Sequence, residues 1–80
     1  MPHVILKLAT GRSETIKQQL ADAMTQSLVD IAGADAAQVS VAIEDIDIRD
    51  WRRLVYEPII APALPGLYRR PGYRPEDLPE

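Results

Sequence analysis

Three residues have the chemistry and the setting to act on a small molecule: Pro2, Arg12 and Trp51. Met1 precedes a small residue, the context in which the initiator methionine is normally trimmed, and trimming would turn the Pro2 nitrogen into a secondary amine. An ordinary α-amino group titrates near 7.7–8.0, so roughly a tenth of it is free base at neutral pH. Burial or a neighbouring cation disfavours the ammonium form and lowers that value. Such an amine would sit close to the optimum for a general base. Arg12 lies immediately before Ser13, a good helix N-cap. A guanidinium beside the free N–H groups of a helix start makes a carboxylate site. Trp51 is the only tryptophan and can form the apolar wall of a pocket. Taken singly, each has a plainer reading: a common Met-Pro start, a solvated loop arginine, and an indole anchoring a core or an interface.

The elements that would position these residues can be read from periodicity. Val4, Leu6 and Leu8 alternate with His3, Ile5 and Lys7, which predicts a strand. Thr10-Gly11-Arg12-Ser13 breaks the alternation. Ile16, Leu20, Met24, Leu28 and Ile31 then recur at helical spacing, and Glu14 suits the first turn. Gly33 stands where a helix would be closed by a left-handed residue. Val39, Val41 and Ile43 alternate again and predict a second strand. Strand, long helix and strand form a right-handed β-α-β unit with two parallel strands. Asp50 is a candidate cap for a second helix over residues 51–57. Pro58, Pro62 and Pro65 predict short helical turns or a kinked helix thereafter. Residues 74–80 are polar and proline-containing, and a loose tail is expected there.

Composition narrows the functions open to this chain. Eighty residues form one domain, residues 1–80, and a core of that size contributes little net stability by itself. With no cysteine and a single histidine, His3, neither disulfides nor a thiolate- or histidine-rich metal site can reinforce it. One helix covers one face of a two-stranded sheet, so a second copy of the chain is the expected cover for the other, giving a homo-oligomer. A net charge of −3 argues against nucleic acid as a partner. The apolar stretch over residues 58–67 is too short and too proline-rich to span a membrane. No secretory leader pattern is visible, and a cytoplasmic location is expected. Glu44–Asp50 is acidic but lacks the glycine and distal glutamate of a calcium loop.

Pro2, a strand, Gly11-Arg12-Ser13 opening a helix, and a second strand together resemble the 4-oxalocrotonate tautomerase family. The resemblance runs from Pro2 to about Trp51 without gaps. It implies that Pro2 is the catalytic amino-terminal proline, that Arg12 binds a substrate carboxylate, and that Trp51 occupies the place of an active-site aromatic, a phenylalanine in founding members. The family's second arginine falls on Ser40, which puts a dicarboxylate substrate in doubt. The order Trp51, Ile60, Pro62, Leu67 and Arg69-Arg70-Pro71-Gly72-Tyr73 is similar to the longer PptA-type tautomerases. That similarity implies a homodimer with a short helical C-terminal extension, acting on aryl 2-oxo acids such as phenylpyruvate.

The expected protein is therefore a cofactor-independent keto-enol tautomerase of α/β class. Its substrate would be a small 2-oxo acid, with neither metal nor organic cofactor, because the 2-oxo acid stabilises its own enol. Hydration or decarboxylation at the same proline, or a non-catalytic protein of the same fold, are the alternatives. If Ser40 sets the preference for monoacids, Ser40→Arg should shift relative kcat/KM from phenylpyruvate toward dicarboxylates. An unchanged ratio would contradict that role.

Overall fold

The computed structural model describes residues 1–79; Glu80, the last residue of the expected tail, lies outside the described residues. The chain divides into two compact units, Met1–Asp45 and Ile46 onward.

In the first unit, β1 (His3–Ala9) and β2 (Ser40–Ile46) form a two-stranded parallel sheet, linked by the crossover helix α1 (Glu14–Ala32). The ladder starts where the Ser40 N–H donates to the Pro2 carbonyl at 3.2 Å. In a parallel pair this bond sets Ser40 opposite His3 and Glu44 opposite Lys7. Both pairs are joined through their side chains, His3 Nδ1 to Ser40 Oγ at 2.6 Å and Lys7 to Glu44 as an ion pair. The face carrying His3, Ile5, Lys7 and Glu44 is thus mixed in polarity, and Ile5 is 57% exposed on it. The Val4–Leu6–Leu8 side faces α1.

Both helix caps follow the sequence. Ser13 Oγ accepts the Ile16 N–H at 3.2 Å. Gly33 closes the helix at φ +70°, and the Gly33 and Ala34 N–H groups reach Val29 and Leu28. Along the apolar stripe, Leu20, Met24 and Leu28 are half-buried, whereas Ile16 and Ile31 are exposed at 45% and 87%. Nineteen helical residues span about 28 Å, and a seven-residue strand spans about 23 Å. The stripe therefore outruns the sheet it covers. Lys17 fixes the helix to β2 by ion-pairing with Asp45 and also pairs with Glu14 within the helix; those bonds, Asp45 first, raise its pKa.

In the second unit, Asp47 rather than Asp50 is the capping residue. Its carboxylate accepts from Arg49 N (2.9 Å) and closes a 3-10 turn, Ile48–Asp50. The chain then winds as a π-helix, Arg52–Ile60, continues through an α-helical turn, Ala61–Ala63, and ends in a 3-10 turn, Leu64–Gly66. Pro58 lies inside the π-helix. In an α-helix its ring would clash with the carbonyl four residues back, and the wider coil relieves that contact. The buried apolar residues, Val55 and Tyr56, both lie on this segment. Beyond it, Pro75–Asp77 form a further 3-10 turn, closed by the Arg74 N–H donating to Asp77 at 2.9 Å. Among the described residues no helix is long and apolar enough to cross a membrane.

The Asp47–Arg49 pair sets a pH test. Hydrogen bonds from the Arg49 side chain, and then from its backbone N–H, lower the Asp47 pKa from 3.8 to about 2. A carboxyl depressed in the folded state contributes stability above its unfolded value and loses it as pH falls through the folded one. The window is therefore about pH 4 down to 2. Carbon-13 NMR should show the Asp47 carboxyl titrating near 2 and the Ile48–Asp50 turn loosening with it. A midpoint near 4 would contradict the pairing.

Candidate active site

Pro2 is half-buried, immediately before β1, and its carbonyl is held by the Ser40 amide. Its position is thus set by the first rung of the sheet. Met1 is 93% exposed. While Met1 is attached, the Pro2 nitrogen is an amide without basicity; its removal would expose an amine anchored through its own carbonyl.

The residue opposite this start is the one the family resemblance singles out as a departure. Ser40 carries a hydroxyl at the position onto which the family's second arginine falls, and that hydroxyl is engaged by His3. The sequence places His3 on the first strand, but nothing local in it announces this pair. The signal lay in the register: two parallel strands paired at Pro2 put residues 3 and 40 side by side.

Arg12 follows Gly11, whose φ of +136° is a conformation that glycine adopts readily and other residues rarely do. The turn brings Arg12 Nη1 to the Ala9 carbonyl at 2.9 Å and leaves the guanidinium exposed at the start of α1. No carboxylate among the described residues pairs with it. The remaining N–H directions are free to meet an anion, and the helix N-terminus adds to the attraction.

Pro2 and Arg12 do not meet within one chain. The whole of β1 lies between them, about 23 Å of extended backbone. A single 2-oxo acid cannot bridge that distance.

Trp51 sits in the second unit, half-buried, at the start of the π-helix. Its Nε1–H donates to the Tyr73 hydroxyl at 2.9 Å. The Tyr73 ring in turn lies 5.9 Å from the buried Tyr56 ring at a tilt of 52°. Trp51 is therefore an ordered aromatic surface whose polar edge is satisfied. Its partner was not found from sequence, because the contact joins residues 22 positions apart and no periodicity announces it.

A parallel β-α-β unit that opens at a proline and carries an arginine at the helix start defines a small tautomerase-like fold. The family model described as "Tautomerase enzyme" matches residues 2–53. A probable tautomerase of Xylella fastidiosa is 48% identical over 73 residues, covering 91% of this chain and 89% of its own. Tautomerase PptA of Cronobacter sakazakii is 36% identical over 74 residues, covering 91% and 97%. Among solved structures, a 4-oxalocrotonate tautomerase isozyme of Methylibium petroleiphilum superposes with a TM-score of 0.60 at 30% identity, over 62% of this chain and 81% of its own. The chain belongs to the tautomerase family. It is an isomerase with tautomerase activity.

Proposed function

We propose that this chain is a keto-enol tautomerase of aryl 2-oxo acids, that the Pro2 amine is its general base, and that each active site is shared between two copies. The observation that carries the reading is the family match, which starts at Pro2 itself. The 74-residue likeness to PptA supports the subfamily, since an alignment of that length must run well past Arg53, where the family model ends.

In this mechanism the amine takes the proton from the enol hydroxyl at C2. The carbonyl forms as the C2–C3 double bond opens, and the prolyl ammonium returns the proton to C3. Atoms and charge balance without a redox partner. A general base of this kind contributes about 10²- to 10⁴-fold. Arg12 holds the substrate carboxylate, and Trp51 takes the aromatic body. Ser40, without a cation of its own, leaves the site with no second charged grip and so favours monoacids.

Sharing follows from the length of β1. The carboxylate and the enol of one substrate lie a few ångströms apart, while Pro2 and Arg12 of one chain lie at opposite ends of a strand. The Arg12 that serves a given Pro2 therefore belongs to another copy. Further support for a homo-oligomer, taken as a homodimer, comes from apolar surface left open in the first unit. There a groove of about 370 Å³ is lined by Val4, Leu20, Ala23, Met24, Ser27 and Leu28, and Ile5 is exposed on the opposite sheet face.

The test is subunit complementation. Pro2→Ala and Arg12→Ala chains should each ketonise enol phenylpyruvate poorly alone. Co-folded as a mixture, they should regain activity, because a hybrid contains one site with an intact Pro2 and an intact Arg12. No recovery in verified hybrids would contradict a shared site.

A further inference from the structure

The basic residues of this chain fall into two groups. Lys7, Lys17, Arg49, Arg52, Arg53 and Arg74 each lie within 4.0 Å of a carboxylate. Arg12, Arg69 and Arg70 have no such partner among the described residues. That is unexpected in a chain with twelve acidic groups for nine basic ones. Arg12 has been placed in the proposed active site; Arg69 and Arg70 have no role in it.

These two arginines line a cleft of about 570 Å³ together with Ile60, Leu67, Pro71 and Gly72. The volume lies in the range of small-molecule sites, about 300–1,000 Å³. The lining combines two fixed positive charges with three apolar side chains. Gly72 adds no side chain, and nothing lies within 4 Å of where its Cβ would stand.

The cleft is also held in place. Ile60 ends the π-helix, whose Val55 and Tyr56 are buried. On the other side, Pro71 restricts the backbone, and Tyr73 is anchored by the Trp51 hydrogen bond and the Tyr56 ring. The arginines thus project from a segment fastened at both ends. The carbonyl end of the helical segment, at Gly66, works against an anion with about half a charge. Two full guanidinium charges outweigh it, and arginine's planar fork matches a carboxylate.

We infer that Arg69, Arg70, Ile60, Leu67 and Pro71 form a carboxylate-binding site of the C-terminal segment, fitted to a small monocarboxylate with an apolar body. The arginines take the carboxylate and the three apolar side chains take the body. This assignment stands on the second unit alone and does not depend on Pro2 acting as a base.

The experiment follows amide resonances of the full chain by NMR during titration with phenylacetate, with acetate and benzyl alcohol as charge-only and body-only probes. Phenylacetate should move the Leu67 and Gly72 amides, and each partial probe should bind at least about tenfold more weakly. Arg69→Ala/Arg70→Ala should weaken phenylacetate at these resonances by at least about tenfold, while a Pro2→Ala chain should bind it as the parent does. Both arginines are exposed, and an otherwise unchanged amide spectrum of the double variant verifies its fold. Shifts that persist in the double variant, vanish in Pro2→Ala, arise equally with acetate, or avoid Leu67 and Gly72 would overturn the site. A failed ketonisation assay would instead affect only the proposed base.

Discussion

The hydrogen bond from the Ser40 amide to the Pro2 carbonyl is the constraint on which the first unit depends. It opens the parallel ladder at the residue whose nitrogen is the proposed base. Register follows from it, and register sets His3 against Ser40 and Lys7 against Glu44. A parallel pair also requires a long crossover, which α1 supplies. The crossover puts Ser13 and the Arg12 turn at the far end of β1 from Pro2. One backbone bond thus orders the start of the strand, and the length of the strand separates the proposed base, Pro2, from the proposed carboxylate-binding Arg12.

That separation gives the proposed homo-oligomer a chemical reason as well as a stabilising one. A two-stranded sheet with one helix leaves a face open, and no residue of the first unit is buried. A small core of this kind gains from a partner. If the partner also brings Arg12 to Pro2, then association and catalysis depend on the same contact. Loss of the association would then remove catalysis with it.

Much of the first unit was legible in the sequence because each signal is local. Alternation in residues 3–8 and 39–43, the Ser13 cap and the Gly33 close all correspond to observed features. The second unit was less legible. Asp50 looked like the cap, yet Asp47 performs it, since an aspartate two residues before an N–H closes a 3-10 turn as readily as one at a helix start. Three prolines predicted short helical turns or a kinked helix, and Ala61–Ala63 and Leu64–Gly66 are such turns; the π-helical coil that carries Pro58 had no signal in the sequence. The Trp51–Tyr73 bond, the His3–Ser40 pair and the Arg69–Arg70 cleft are tertiary facts. Residue type named the participants, but only folding chose their partners.

The central claim is that the Pro2 nitrogen is a base tuned for neutral pH. Its most direct test is nitrogen-15 NMR titration of the Pro2 amine in protein shown by mass to begin at that residue. If Pro2 is the base, the midpoint lies below the ordinary α-amino range of about 7.7–8.0 and coincides with the acidic, ascending limb of kcat/KM, because activity is lost as the amine is protonated. A midpoint at or above that range, or a pH–rate profile indifferent to it, would contradict the assignment of Pro2 as the catalytic base.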